Sequence, residues 1–339
     1  MTPFASAIID WQKLHGRHDL PWQTQPNQSA DPYAIWVSEI MLQQTQVAAV
    51  IGYYAKFMLR FPTISVLASA TQEEVLQYWS GLGYYSRARN LHAAAQKLSD
   101  DFNSIFPQDF DAILSLPGIG RSTAAAISTF AFNKPQPILD GNVKRVFARH
   151  FLIEGWPSQP KIEQKMWVIA LQENPTEHAI AYTQGLMDLG ATLCTRSKPK
   201  CESCPVHMSC QAFAQKLTHK LPTPKSKKVL PEKSINMLVY IDGADVMLEK
   251  RPQKGIWGGL WSLPETPDDA TQVNGKKLAK LTHAFTHFKL HIQPILVQTN
   301  ANNRQKNSAN TIWLALDDAI TAAIPTPIRT ILQTLINAA

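Results

Sequence analysis

An all-helical domain to about residue 216, followed by an α+β domain from about residue 234, is the architecture that the sequence predicts. Three observations predict it. Up to residue 216 apolar side chains recur at helical spacing and alanine is abundant. Beyond residue 234, short runs alternate apolar and polar side chains, which is the period of a strand. Between them, Leu217 to Lys233 carries Pro222, Pro224 and Pro231 with five lysines against one glutamate, the composition of an extended basic linker. A chain of 339 residues also exceeds the length at which one core keeps growing.

Taken in order, Tyr33 to Val50, Glu73 to Trp79, Arg87 to Leu98 and Ile162 to Gln172 have the apolar spacing of helices. Asp109 to Leu116 and Arg121 to Phe130 read as two more, joined by the tight turn Leu116-Pro117-Gly118-Ile119-Gly120. Ile138 to Val146 reads as an apolar approach, an N-cap Asp140 and a new helix. In the second domain, Ile235 to Ile241 and Val246 to Lys250 flank Asp242-Gly243 as a hairpin would. Phe288, Leu290 and Ile292 alternate with Lys289, His291 and Gln293 as in a strand, and Pro327 opens a final helix with Ile328, Ile331, Leu332, Leu335 and Ile336 on one face.

Composition narrows the function classes. No run of eighteen apolar residues exists, and Met1 to Asp10 lacks the charged start and apolar stretch of a secretory signal, so a cytoplasmic protein with no membrane partner is expected. The 33 Lys and Arg against 26 Asp and Glu give a net charge of +7, which permits an anionic partner. More than half of that excess lies in the linker.

All four cysteines fall within residues 194 to 210, as Cys194, Cys201, Cys204 and Cys210. In a reducing compartment such a cluster binds metal more readily than it forms disulfides. Only Cys201 and Cys204 form a short knuckle of the kind that structural zinc favours, and the wider flanking gaps suit a 4Fe-4S cube. Zinc remains the alternative on spacing alone.

The Leu116 to Gly120 turn leaves backbone amides free at the start of a helix, and its glycines let a phosphate approach without a Cβ in the way. That is the arrangement of a helix-hairpin-helix element, which grips DNA backbone without reading sequence; an ordinary helix connection is the plainer reading. Asp140, held by helix-start amides, is expected to stay ionised with a depressed pKa, although most N-cap aspartates only cap. Glu39 lies in a helix with apolar side chains on almost every side, where burial raises a carboxyl pKa. Two carboxyls set apart in this way suit acid-assisted glycosidic cleavage.

The hairpin Leu116-Pro-Gly-Ile-Gly120, the Asp140-Gly-Asn142 step and the cysteine spacing together resemble the helix-hairpin-helix base-excision glycosylases with an iron-sulfur loop. Trp36-Val-Ser-Glu39-Ile-Met-Leu-Gln-Gln-Thr-Gln46 and Gly81-Leu-Gly-Tyr-Tyr-Ser-Arg-Ala-Arg-Asn90 narrow the resemblance to adenine DNA glycosylases of the MutY type, over nearly the whole chain. The resemblance implies a multidomain fold: a helical glycosylase domain (1–216) with one 4Fe-4S cluster on Cys194, Cys201, Cys204 and Cys210, a linker (217–233), and a Nudix-like domain (234–339). It implies a monomer acting on double-stranded DNA, removing adenine opposite 8-oxoguanine or guanine. Glu39 would protonate the base, Asp140 with Asn142 would stabilise the sugar cation, and Gln184 would bind the adenine edge. Gln43, Gln44 and Tyr84 would fill the stack left by base extrusion. Gly118 and Gly120 would meet DNA phosphate, and Lys144 a phosphate or the active site. Arg196, Lys198 and Lys200 lie inside the cysteine loop as weaker candidates for the backbone.

Ser122 separates the nearest alternative. Endonuclease III relatives, which also cleave the strand, carry a nucleophilic lysine two residues after the last hairpin glycine, and without that amine no Schiff base forms. A catalytically silent DNA-damage binder is the alternative from another class, and the retained Glu39 and Asp140 argue against it. In the second domain, Arg251 to Pro264 resembles the region before a Nudix box, but Glu265 to Asn274 lacks the glutamate-rich helix that holds magnesium, so nucleotide hydrolysis is not expected. Phe285, Thr286 and His287 correspond to the family's lesion-reading trio, with threonine where serine is common.

Overall fold

The computed structural model describes residues 1–25, 28–226, 229–266, 274–299 and 310–338. Its longer helices, in chain order, are α1 (Pro3–His15), α2 (Pro32–Leu42), α3 (Val47–Arg60), α4 (Ile64–Ser69), α5 (Gln72–Trp79), α6 (Ser86–Phe102), α7 (Phe110–Leu114), α8 (Arg121–Phe132), α9 (Gly141–His150), α10 (Pro160–Glu173), α11 (Ala179–Asp188) and the short α12 (Gln211–Ala214). A π-type turn, Leu189–Leu193, continues α11 towards the cysteines. Among the described residues no helix is long and apolar enough to cross a membrane.

By packing, the chain forms two compact units: Met1–Ser65 with Ala93–Ser226, and Val66–His92 with Lys227–Ala339. The first is helical. Local chemistry sets its helix starts: Asp31 accepts the Tyr33 N–H at 2.9 Å with Pro32 following, and Asp109 accepts the Ala112 N–H at 2.9 Å. Its core gathers Phe4, Ile8 and Ile9 of α1, Val143, Val146 and Phe147 of α9, and Leu186 of α11, each buried.

The helix expected from Tyr33 to Val50 is two helices. α2 ends at Leu42 and α3 begins at Val47, with Gln44 in the left-handed region at φ 57°. Four polar residues, Gln43 to Gln46, give the helix no apolar face to bury there. Gln43 instead sends its carboxamide to the Thr123 hydroxyl at 3.2 Å and the Gly118 carbonyl at 3.5 Å, which ties the end of α2 to the hairpin. That hairpin consists of α7, the turn with Gly118 at φ 80°, and α8. A side chain at Gly118 would strain the backbone.

The second unit carries a mixed sheet. Its strands are β1 (Glu232–Asp242), β2 (Asp245–Lys250), β3 (Trp261–Ser262), β4 (Glu265–Thr266), β5 (Lys276–Lys277), β6 (Leu281–Ala284), β7 (Lys289–Gln298) and β8 (Thr311–Ala315), followed by helices α13 (Leu316–Ala319) and α14 (Thr326–Ile336). β1 and β2 form the hairpin around Gly243, and β1 pairs with β7 in parallel from Glu232↔Lys289 to Ile241↔Gln298. The order runs β3-β2-β1-β7-β5, with β8 on β2, β4 on β1 and β6 on β7.

Val66–His92 packs within this unit through specific polar contacts. Glu73 accepts from the Trp261 indole N–H at 2.5 Å and pairs with Lys250, the Ser80 hydroxyl donates to the Ile324 carbonyl at 2.6 Å, and Arg89 donates to the Gly258 carbonyl at 2.7 Å. Sequence order puts the segment among the helices; its hydrogen bonds run to the sheet unit. Two of the linker lysines, Lys227 and Lys228, and most of the stretch expected to lack a magnesium-binding helix, residues 267–273, lie outside the described residues.

Candidate active site

In the first unit, α2 and α11 border a cavity of about 520 Å³, whose lining includes Trp22, Ser38, Glu39, His178 and Gln184. The volume lies within the range of small-molecule pockets and exceeds what one nucleobase fills. Glu39 is half-buried, flanked along α2 by the buried Ser38 and Ile40. Burial, and then the negative charge of Asp140, raise its carboxyl to about 8. It therefore carries a proton at neutral pH.

Asp140 caps α9 as the sequence predicts, accepting the Val143 N–H at 2.7 Å. Its expected depressed pKa is overturned: the net direction is upward, because burial outweighs the groups that favour the anion. Those groups are the Val143 and Asn142 backbone N–H bonds, the Arg145 cation and the Asn142 carboxamide, which reaches Asp140 at 3.4 Å. Glu39 has no such compensation among its causes, so the chemical asymmetry of the pair survives. Burial and a negative neighbour act together on Glu39, whereas N–H groups and a cation oppose burial at Asp140.

Asn142 sits where α9 and the Leu189–Leu193 turn come together. A Cβ at Gly190 would lie 2.6 Å from the Asn142 Cβ, so glycine is needed for that approach. Arg145, one turn on from Gly141, donates to the Asn142 Oδ1 at 2.8 Å, the Gly190 carbonyl at 2.6 Å and the Cys194 carbonyl at 2.7 Å. One guanidinium thus joins the carboxylate's neighbour to the first cysteine.

Gln184 lines the cavity with Glu39 and is buried, its Nε2 donating to Asp188 at 2.8 Å. Ser122 lies in the first turn of α8, where its hydroxyl accepts the Leu139 N–H at 3.0 Å next to Asp140. Gly120 supplies the N-cap of α8 without a capping side chain, which leaves first-turn amides for an anion. The Lys144 ammonium pairs with Glu163 of α10 at 2.8 Å. Sequence reasoning missed Trp22, His178, Arg145 and Asp188. The i, i+4 spacing of Gln184 and Asp188 on one helix was the available signal.

The four cysteines, none of them in a disulfide, line one cavity with Arg149. Arg149 is 2% exposed and donates to the Cys194 Sγ at 3.3 Å and to the Thr195, Arg196 and Leu221 carbonyls at 2.8, 3.1 and 2.8 Å. Burial, reinforced by the charges of Cys194, Cys210 and Cys201, pushes the Cys204 thiol up to about 12. Four thiolates would therefore need a strongly positive centre. Among the described residues no three metal-ligating side chains are drawn together as one ion requires. A donor set spread around one cavity fits a multi-metal cube better than a tetrahedral zinc with about 2.3 Å bonds.

In the second unit, Phe285, Thr286 and His287 form the tip between β6 and β7, closed by the Phe285 N–H donating to the Phe288 carbonyl at 2.9 Å. Thr286 and His287 are exposed, with the Thr286 hydroxyl 3.4 Å from the His287 Nδ1. Phe285 stacks on Phe288 with ring centroids 4.6 Å apart and meets Trp257 at 5.6 Å. Tyr84 belongs to the same unit, exposed at φ 48°, with the Arg87 guanidinium 5.4 Å from its ring.

Residues 37–190 match the family described as HhH-GPD superfamily base excision DNA repair protein, and residues 236–334 match the NUDIX domain. The chain is 37% identical to the adenine DNA glycosylase of Buchnera aphidicola subsp. Acyrthosiphon pisum over 97% of both chains. It is 30% identical to the human adenine DNA glycosylase over 98% of this chain and 74% of that one. A thermostable thymine-DNA glycosylase superposes at a TM-score of 0.55 with 29% identity, covering 62% of this chain and 95% of its own.

Proposed function

The chain belongs to the HhH-GPD base excision repair superfamily and, within it, to the adenine DNA glycosylases, and from that premise we propose that it is a monofunctional enzyme removing adenine mispaired with 8-oxoguanine or guanine in duplex DNA. The observation that supports this reading is that Glu39, beside the negative charge of Asp140, lines the same cavity as Gln184, one roomy enough for an extruded base.

The extruded adenine enters that cavity, and Gln184 binds its edge. Glu39, protonated, donates to N7. The C1′–N9 bond then breaks with its electron pair moving to the base, and the Asp140 carboxylate faces the cation left on the sugar. Water adds at C1′, and the Glu39 carboxylate takes up the proton that the water releases. The first-turn amides of α8 after Gly118 and Gly120 hold a phosphate, while Gln43, Gln44 and Tyr84 occupy the gap in the stack. Lys144, whose ammonium pairs with Glu163, approaches a phosphate or the active site. Cys194, Cys201, Cys204 and Cys210 would hold a 4Fe-4S cluster, which would brace the loop that Arg149 and Arg145 join to α9.

Ser122 makes the enzyme monofunctional, since its hydroxyl stands where an amine would be needed to form a Schiff base with the sugar. Ser122→Lys should give a covalent DNA complex trapped by borohydride, and the parent should give little. Efficient trapping by the parent, with strand cleavage in the absence of added base, overturns this reading.

Lesion preference belongs to the exposed tip at Phe285, Thr286 and His287. Contacts of this kind discriminate by about 1–3 kcal/mol each. Changing Phe285 and His287 together to Ala should therefore slow excision opposite 8-oxoguanine far more than opposite guanine in single turnover. Equal loss on both duplexes would mean that the tip only holds DNA.

A further inference from the structure

Gln184 reaches the cavity from α11, and one turn further along the same helix stands Asp188, 1% exposed. The Asp188 Oδ1 accepts from the Gln184 Nε2 at 2.8 Å and from the Arg17 Nε at 2.7 Å, and a terminal nitrogen of Arg17 lies 2.5 Å from it. The Oδ2 accepts the backbone N–H of Arg17 at 2.8 Å. A carboxylate clamped by a guanidinium offers acceptors alone. Whatever way the Gln184 amide is first drawn, the group turned towards Asp188 has to be its NH2. The carbonyl Oε1 is then the group left for the cavity.

We propose that Asp188, held by Arg17, is a positioning residue that sets base specificity by fixing the orientation of the Gln184 amide. The cavity consequently presents a carbonyl acceptor to the edge of the extruded base. An exocyclic amino group, as at C6 of adenine, donates to that acceptor. An oxo group at the same carbon meets it acceptor to acceptor and is rejected. The inference rests on the proposed contact between Gln184 and adenine.

The test compares release of adenine with release of hypoxanthine, which carries oxygen in place of the amino group, each opposite 8-oxoguanine in single turnover. In Asp188→Asn the new amide offers a donor as well as an acceptor, so Gln184 is free to turn and present its own NH2. The adenine-to-hypoxanthine rate ratio should fall by about tenfold or more relative to the parent, with hypoxanthine gaining on adenine. A purely structural role would slow both bases alike and leave the ratio at its parent value, which overturns the proposal. Because Asp188→Asn leaves the half-buried Arg17 without its counter-charge, the double variant Arg17→Gln with Asp188→Asn reads the same ratio without that imbalance. Gln184→Ala separates the two layers. A parent-like ratio in Gln184→Ala removes the contact of Gln184 with the base, whereas a ratio lost there but kept in both Asp188 variants removes the positioning role alone.

Discussion

Glu39→Gln should all but abolish adenine release while duplex binding persists. The variant keeps the shape of the side chain and removes its proton, and general acid catalysis alone contributes about 10²- to 10⁴-fold. Because the proposed mechanism also has Glu39 take the proton of the attacking water, the loss should sit at the upper end. Single-turnover release measured beside a binding isotherm checks it, and near-normal release sinks the assignment. The same substitution has an opposite effect on stability. A carboxyl raised from 4.5 to about 8 gives stability that is fully present below pH 4.5 and lost as pH rises through 8, since the folded state holds a proton that the unfolded state gives up. Glu39→Gln carries no such loss. Its unfolding free energy, followed by thermal melts, should match the parent near pH 4.5 and exceed it above pH 8 by at most about 5 kcal/mol, at about 1.4 kcal/mol per pKa unit between 4.5 and about 8.

Cys201→Ser has the second large expected effect. The cluster loop, Leu193 to Phe213, contains only short helical turns, and its order rests on Arg149, which binds three carbonyls and the Cys194 sulfur. When ligand binding supplies folding free energy, losing one ligand undoes both. The parent should be brown with broad absorbance near the violet edge and iron bound to protein, whereas Cys201→Ser should be paler, poorly soluble and weak in DNA binding. The coupling reaches the chemistry, since Arg145 ties the Cys194 carbonyl to Asn142 beside Asp140. A colourless, fully active parent containing one zinc would refute the cluster.

Local signals were legible in the sequence. Asp140 caps its helix, the glycines of Leu116 to Gly120 make the hairpin turn, and period-2 alternation marks β7, because each depends on neighbours a few residues away. What depends on distant packing was not. The expected direction of the Asp140 pKa followed from its cap, but burial by other elements reverses it. The break after Leu42 answers to Gly118 and Thr123, some 75 to 80 residues on. Val66–His92 has ordinary helical spacing, and nothing local in it announces Trp261, Gly258 or Ile324 as partners. For Asp188 the only local signal is its i, i+4 spacing from Gln184. An aspartate at a helix end looks like any other until Arg17 and Gln184 are seen to converge on it.

The pH dependence of single-turnover adenine release from an adenine–8-oxoguanine duplex tests acid catalysis by Glu39 most directly. Bound DNA adds negative charge and the extruded base displaces water, both of which favour the protonated carboxyl, so the alkaline limb should fall no lower than about 8. Below that limb the rate should be fully expressed, declining only where Asp140 takes up its proton. Above it the rate should fall about tenfold per pH unit, and Glu39→Gln should show no such limb in its residual activity. A rate that stays level or climbs through pH 9, or an alkaline limb unchanged in Glu39→Gln, contradicts the assignment of Glu39 as the proton donor.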